Sequence, residues 1–270
     1  MHATMRPHRI YRTLALALAM LFLSLPQFSC TWEYSREDMG FDVPAFNDTT
    51  DEPDTRPCVA LTFDDGPNHY DDRTIKYVDE LNKYGYTATF FVVGNRVAGK
   101  GTNSGINSVK YAVDNGMEIG IHGYTHNVYY NDCTADAFER EMKLTLDAIR
   151  KQVPNYEVKL MRPIGGEISA SNAAICPYAI IHWSVDSDDW NNRYHPGDTE
   201  EDWNATVDTI VNNVLSKVKE GDIILMHDIY ESTYDATVII LQRLNEMGYR
   251  VVSVSELLGE TEAGRIYHNR

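Results

Sequence analysis

The sequence is poor in cysteine, in positive charge and in long apolar runs, and each shortage removes a class of protein. Only four of its 270 residues are cysteine, at positions 30, 58, 133 and 176, and no two are spaced as CxxC. That pattern argues against a disulfide framework and against a cysteine-based metal site, so buried free thiols are expected. Lysine and arginine number 24 against 40 aspartates and glutamates, a formal net charge of −16. Such an acidic body has no electrostatic footprint for a phosphate backbone, and no nucleic-acid partner is expected. The apolar run at residues 14–25 falls short of the ~20 residues that span a bilayer. Internal repeats and low-complexity tracts are also missing, which excludes solenoid and propeller arrays.

What is present begins with a basic segment (Arg6, His8, Arg9, Arg12) ahead of that apolar run. The combination reads as a signal peptide over residues 1–30 and predicts export. It ends in Gln27-Phe28-Ser29-Cys30. A small residue followed by cysteine resembles the processing site of bacterial lipoproteins, apart from Gln27, where that motif usually has leucine. The expectation is a lipid anchor at Cys30 as the sole membrane contact, in the cell envelope. The first 32 residues carry no acid, so losing their three arginines takes the charge from −16 to −19. Residues 31–57 are rich in Asp, Glu, Thr, Asn and Pro without apolar periodicity, and read as a solvated acidic tether.

From residue 58 the pattern changes. Short apolar runs at 58–63, 88–93, 118–121, 158–161, 179–185, 222–226 and 250–254 alternate with helix-length segments. The runs are too short for helices and most are rich in Val, Ile or Phe, as buried parallel strands are. Phe138, Met142, Leu146 and Ile149 form one helical stripe; Val207, Ile210, Val214 and Val218 form another. With 43% hydrophobic residues a single large core over 58–270 can be buried. The predicted fold is α/β, a distorted or incomplete (β/α) barrel of about seven parallel strands.

Polar residues cluster just after these runs: Asp64-Asp65, His122 to His126, Arg162, Asp186 to Asp189, and His227-Asp228. In parallel α/β barrels the carboxyl ends of the strands converge on one face, where active sites form. His122 and His126 are four apart, which suits one side of a helical turn. With Asp65 they make a His-His-carboxylate set, the open three-ligand arrangement of catalytic zinc sites. Asp64 adjoins Asp65, and the Gly66-Pro67 turn breaks strand alternation, so one carboxylate can hold a metal while the other faces water. Taken alone, HxxxH is also a loop cap and DDGP also a solvated turn.

Together they are more. TFDDGP at 62–67, HGYTH at 122–126, RPIGG at 162–166, DSDDW at 186–190 and LMH at 225–227 resemble, in order and separation, the five motifs of the polysaccharide deacetylase (NodB-homology) family, carbohydrate esterase family four. The resemblance spans roughly residues 58–258. It implies Asp64 as catalytic base, and Asp65, His122 and His126 as ligands of Zn2+ or another divalent ion such as Co2+. It implies Arg162 as the partner that orients Asp64, and Asp189 as the carboxylate that charges the acid His227. Trp190 and Leu225 resemble the apolar walls for the acetyl methyl, and the Gly165 N–H resembles an oxyanion donor. The third motif departs from the family, which usually has proline and an aromatic where this chain has Ile164 and Gly165. That departure removes one aromatic wall.

The implied activity is metal-dependent hydrolysis of N-acetyl groups on an amino-sugar polysaccharide: peptidoglycan, a chitin-like glycan or poly-N-acetylglucosamine. Two rivals keep the same residues, an O-acetyl esterase of xylan-type glycans and a glycan-binding surface lipoprotein without catalysis. His69, His182 and His195 read as structural or rim residues, Asp186 as a supporting group and Asp228 as a cap or surface residue. Asp71, Asp72, Asp79 and Glu80 read as a solvated helix face.

Overall fold

A computed structural model of the chain describes residues 54–68, 72–99, 107–195 and 197–270. The expected leader, Cys30, residues 31–53 of the tether, His69 and Asp71 lie outside the described residues.

Among the described residues nine strands alternate with helices, and the strands form an open, curled half-barrel with the helices outside. The strands are β1 (Cys58–Asp64), β2 (Thr89–Val92), β3 (Glu118–Ile121), β4 (Leu160–Met161), β5 (Ala179–Ile181), β6 (Val185–Asp186), β7 (Ile223–His227), β8 (Arg250–Val252) and β9 (Ile266–Tyr267). The main helices are α1 (Arg73–Lys83), α2 (Gly94–Val97), α3 (Ser108–Asp114), α4 (Ala135–Gln152), α5 (Ala170–Ile175), α6 (Glu200–Leu215), α7 (Glu231–Glu246) and α8 (Val254–Leu258). The sheet order is β6-β7-β1-β2-β3-β4-β5-β9, every pairing parallel, with β8 on β1. β8 pairs Cys58 to Ala60 and β2 pairs Thr62 to Asp64, so the two share one edge of β1.

Where about seven strands were expected, nine are seen among the described residues. The run 179–185 is two strands: β5 continues the β4 edge, whereas β6 pairs only with β7. The barrel is open between them, and β9 lies along β5 at the opening. Two residues of Ile and Tyr preceded by a turn give no periodicity to read, which is why β9 was not expected.

The strand alternation places the chemistry. Val59, Leu61 and Phe63 of β1 pack outward into the larger core under the helices. Cys58 and Ala60 face inward with Phe91, Leu160, Ala179, Ile181, Ile223 and Val252. By the same period of two, Thr62 and Asp64 face inward as well. The interior is narrow: Phe91 pairs with Gly120, where a Cβ would come within 2.5 Å of the phenyl ring. Burying each large side chain of this core contributes ~1.5–3 kcal/mol. Both helical stripes face the core, with Phe138, Met142, Ile149, Val207, Ile210 and Val214 buried and Leu146 and Val218 partly so. Thr134 and Thr199 cap α4 and α6 by accepting from the backbone N–H of Ala137 and Asp202.

Cys58, Cys133 and Cys176 are free thiols; Cys58 and Cys176 are buried and Cys133 half-buried. Among the described residues no helix is long and apolar enough to cross a membrane. The acidic face on α1 is a partial correction. Asp79 is exposed, but Glu80 is buried and pairs with Lys83, because it falls on the apolar side of the helix.

Candidate active site

Every strand that ends in one of the expected residues ends on the same side of the sheet. β1 and β7 pair in register with Asp64 opposite His227. Adjacent strands lie ~4.8 Å apart, so the pairing alone sets these two side by side on the inner face.

Asp65 is the residue that departs from the strand. Its backbone is left-handed, with φ 75°, which breaks the alternation that would otherwise send it outward. The Arg96 guanidinium donates to its carbonyl. Asp65 Oδ1 then lies 2.9 Å from Nε2 of His126 and 3.5 Å from Nε2 of His122. Neither approach is aligned as a hydrogen bond, and this buried oxygen has no other donor. One ligand atom each from Asp65, His122 and His126 lies within 4.8 Å of the others. An orphaned carboxylate oxygen facing two imidazole nitrogens is the donor set a divalent cation fits.

The imidazoles are prepared for that role. His122 Nδ1 lies 2.9 Å from the Arg162 carbonyl, which can only accept, so Nδ1 carries the proton and Nε2 is the free lone pair. Burial pulls the His122 pKa down against the pull of Asp64 and Asp65, favouring the neutral ligand. Burial alone would raise the pKa of Asp65, but His126 and His122 beside it hold it well below the usual carboxylate range. The turn between the histidines is clamped by Glu141 of α4. Its buried carboxylate accepts from the N–H of Tyr124 at 2.7 Å and of Thr125 at 2.9 Å, and from the Thr125 hydroxyl at 3.2 Å. Gly123 (φ 97°) and His126 (φ 59°) are left-handed, a conformation unfavourable for histidine, and the Glu141 bonds offset that cost.

Asp64 stays outside the trio, 3.7 Å from His122 Nε2 through Oδ2. Its other oxygen receives Arg162 Nη1 at 2.9 Å. Arg162 is fully buried (0% exposed) and held from all sides. It donates to the Thr62 hydroxyl at 2.7 Å and to the carbonyls of Ile181 at 3.1 Å and His182 at 2.9 Å, and stacks 4.4 Å from the Phe91 ring.

Opposite stands the second charged pair. His227 Nδ1 lies 2.7 Å from Asp189 Oδ1; Asp189 Oδ2 accepts from the His227 N–H and the Thr233 hydroxyl, each at 2.8 Å. Burial disfavours the imidazolium, but Asp189 outweighs it, with help from Asp64 and Asp65, and lifts the His227 pKa to about 9. Leu225 is buried two residues below His227 on the inner face. Gly165 lies in a 3-10 turn (Ile164–Gly166) two residues beyond Arg162-Pro163, at φ 67°. Trp190 is 48% exposed, a rim residue.

Asp228 corrects the sequence reading. It is neither cap nor surface but fully buried, accepting from the Thr74 hydroxyl, with burial pushing its pKa up to about 7. It packs against Gly66, where a Cβ would come within 2.5 Å of both carboxylate oxygens. The first motif thus touches the residue that follows the fifth. The half-buried His182 accepts from Arg162 through its carbonyl at 2.9 Å, and Asp186 accepts from the Asp188 N–H at 2.7 Å. His195 is exposed at the rim. Sequence reasoning missed Glu141 and Thr233, whose helical positions carry no motif.

Known proteins resemble this chain in sequence and fold. The polysaccharide deacetylase family model matches residues 51–177, which contain the first three motifs. The peptidoglycan-N-acetylglucosamine deacetylase PgdA of Listeria monocytogenes is 32% identical over 217 residues, 80% of this chain and 42% of its own. A peptidoglycan-N-acetylglucosamine deacetylase of Bacillus cereus is 35% identical, covering 78% of this chain and 92% of its own. The chain belongs to the polysaccharide deacetylase family. It spans well under half the length of the Listeria relative and nearly all of the Bacillus one. Among solved structures, T48 deacetylase with substrate superposes with a TM-score of 0.67 at 32% identity, over 79% of this chain and 97% of that one. A family 4 acetyl xylan esterase from Clostridium thermocellum with a cobalt ion superposes at 0.65 and 28% identity, over 78% and 98%. Among the described residues, Asp65, His122 and His126 form a group that could hold a metal ion.

Proposed function

We propose that the chain removes N-acetyl groups from an N-acetylated amino-sugar polysaccharide, with Asp64 as base and His227 as acid. The observation that carries this is the juxtaposition of two oppositely partnered groups, Asp64 with Arg162 and His227 with Asp189, beside an Asp-His-His trio. A divalent ion such as Zn2+ or Co2+ held by Asp65, His122 and His126 would polarise the acetyl carbonyl and acidify water. Asp64, aimed by Arg162, accepts the proton of the attacking water. The Gly165 N–H donates to the oxygen on which negative charge develops. His227, charged by Asp189, gives its proton to the departing sugar nitrogen. Leu225 and Trp190 border the acetyl methyl.

The acid favours amide over ester. An amine must be protonated to leave, whereas an ester needs less help, and the chain buries the Asp189 carboxylate against the His227 ring. A xylan O-acetyl esterase is the second reading, supported by the Clostridium relative. The test is acetate release by the zinc-loaded chain from chitin oligosaccharides, de-peptidated peptidoglycan strands and acetylxylan in parallel. Turnover restricted to acetylxylan would overturn the amide assignment. Export with lipidation at Cys30, a tether over 31–57 and a catalytic domain over 58–270 complete the proposal. Labelled palmitate should enter the chain in bacteria and be lost in Cys30→Ala.

A further inference from the structure

Gly165 has no side chain, yet the space beside it is not bare. A Cβ built there would meet one neighbour within 4 Å, Tyr129 Cε1 at 3.9 Å. Tyr129 follows the HGYTH turn and is 56% exposed, the highest exposure of any large hydrophobic residue among the described residues. Its backbone is held firmly while its ring is left in water. The Tyr129 carbonyl accepts from the N–H of Cys133 at 3.2 Å. The next residue, Tyr130, is fully buried and forms a parallel bridge to Ile168, beyond the Gly165 turn. The Tyr130 carbonyl accepts from the Ser169 N–H at 3.1 Å and the Asn172 amide at 2.8 Å. An exposed aromatic on an anchored backbone keeps apolar area solvated without a packing role, and its pre-organised position lowers the ordering cost of binding.

From this we infer that Tyr129 is a sugar-binding residue, presenting its ring to the apolar C–H face of a pyranose next to the one whose acetyl group enters the trio. It stands in for the wall that glycine at 165 leaves out, drawn from a different loop. The ligand class is an equatorially linked glycan of at least two or three rings, since an axial substituent would lift the sugar off the ring face. The inference rests on the glycan reading of the active site.

The experiment separates the two. Calorimetric titration of zinc-loaded chain carrying Asp64→Asn with the N-acetylglucosamine tetramer reads binding without turnover. Adding Tyr129→Ala should weaken binding about tenfold, while Tyr129→Phe and Tyr129→Trp stay within about twofold. In the active chain Tyr129→Ala should raise KM for the tetramer by a similar factor, leaving kcat, zinc affinity and hydrolysis of 4-nitrophenyl acetate unchanged. Unaltered tetramer binding in Tyr129→Ala, failure of Phe to substitute, or an equal loss on the small ester would overturn the inference, as would no tetramer binding by the parent. Tetramer that binds through Tyr129 but is not deacetylated would sink the proposed activity and leave this site standing.

Discussion

Asp189→Asn is the sharpest probe of the acid. The substitution keeps the shape of the side chain and removes its charge. Asp189 now accepts three hydrogen bonds, from the His227 ring, the His227 N–H and the Thr233 hydroxyl. Asparagine has a single acceptor oxygen, so its NH2 either faces one of these donors or forces the His227 ring into the neutral tautomer whose Nδ1 accepts. Lifting the His227 pKa from 6.5 to about 9, at ~1.4 kcal/mol for each tenfold in proton affinity, corresponds to roughly 3 kcal/mol of preference for the imidazolium. The sign follows from the raised value. The stabilisation is fully present below 6.5 and is lost as pH rises through about 9. In the parent, kcat/KM for the glycan amide should hold through neutral pH and fall near 9, with thermal stability declining over the same window. In Asp189→Asn the alkaline fall should move down towards the ordinary histidine range, and the rate at pH 8 should drop at least ~10-fold. The assay is a pH profile of acetate release, with 4-nitrophenyl acetate as a control that needs little acid. An alkaline limb that stays in place would refute the argument that Asp189 charges His227.

Other substitutions test other parts of the site. Asp64→Asn should retain zinc with unchanged affinity and lose acetate release by a factor of ~10²–10⁴, measured by chelator competition and turnover; normal turnover removes Asp64 as base. Arg162→Ala leaves Asp64 buried and unpaired and should cost ~3–5 kcal/mol in denaturant unfolding. Arg162→Lys should not restore it, because lysine cannot supply the fork that reaches Thr62, Ile181 and His182. Glu141→Gln should weaken zinc affinity by ~10–100-fold with a smaller change in melting temperature, since its carboxylate fixes the turn between two ligands; equal zinc affinity would assign Glu141 to fold stability alone.

Much of the site was legible because its residues sit where strands end. Apolar runs followed by acids and histidines mark the carboxyl ends of β1, β3, β4, β6 and β7, and the fold brings those ends together. What was not legible depends on three-dimensional accidents of local sequence. Glu141 is one acid among many on an exposed-looking helix, and only the docking of α4 beneath the HGYTH turn gives it two backbone donors. Asp228 looked like surface because it follows a motif, yet β7 directs it into the space beside Gly66. The carbonyl of His182 and strand β9 carry no side-chain signal at all, since both act through the backbone.

The opening of the barrel explains why the site survives an incomplete sheet. Base, acid, metal trio and Arg162 come from or just beyond β7, β1, β3 and β4, and Asp189 from just beyond β6, all within the contiguous run β6-β7-β1-β2-β3-β4, so the break between β5 and β6 interrupts no pairing between them. Its nearest effect is on Arg162, which donates to the carbonyls of Ile181 and His182 at the carboxyl end of β5. There the chain end intervenes: the His182 N–H donates to the Tyr267 carbonyl at 2.8 Å. Strand β9 thereby steadies the peptide that steadies Arg162, and through it the carboxylate of Asp64. The register of β1 against β7 does the rest. A one-residue slip would turn either Asp64 or His227 to the outer face, so the apolar alternation that buries Leu61 and Phe63 on one side is what keeps base and acid together on the other.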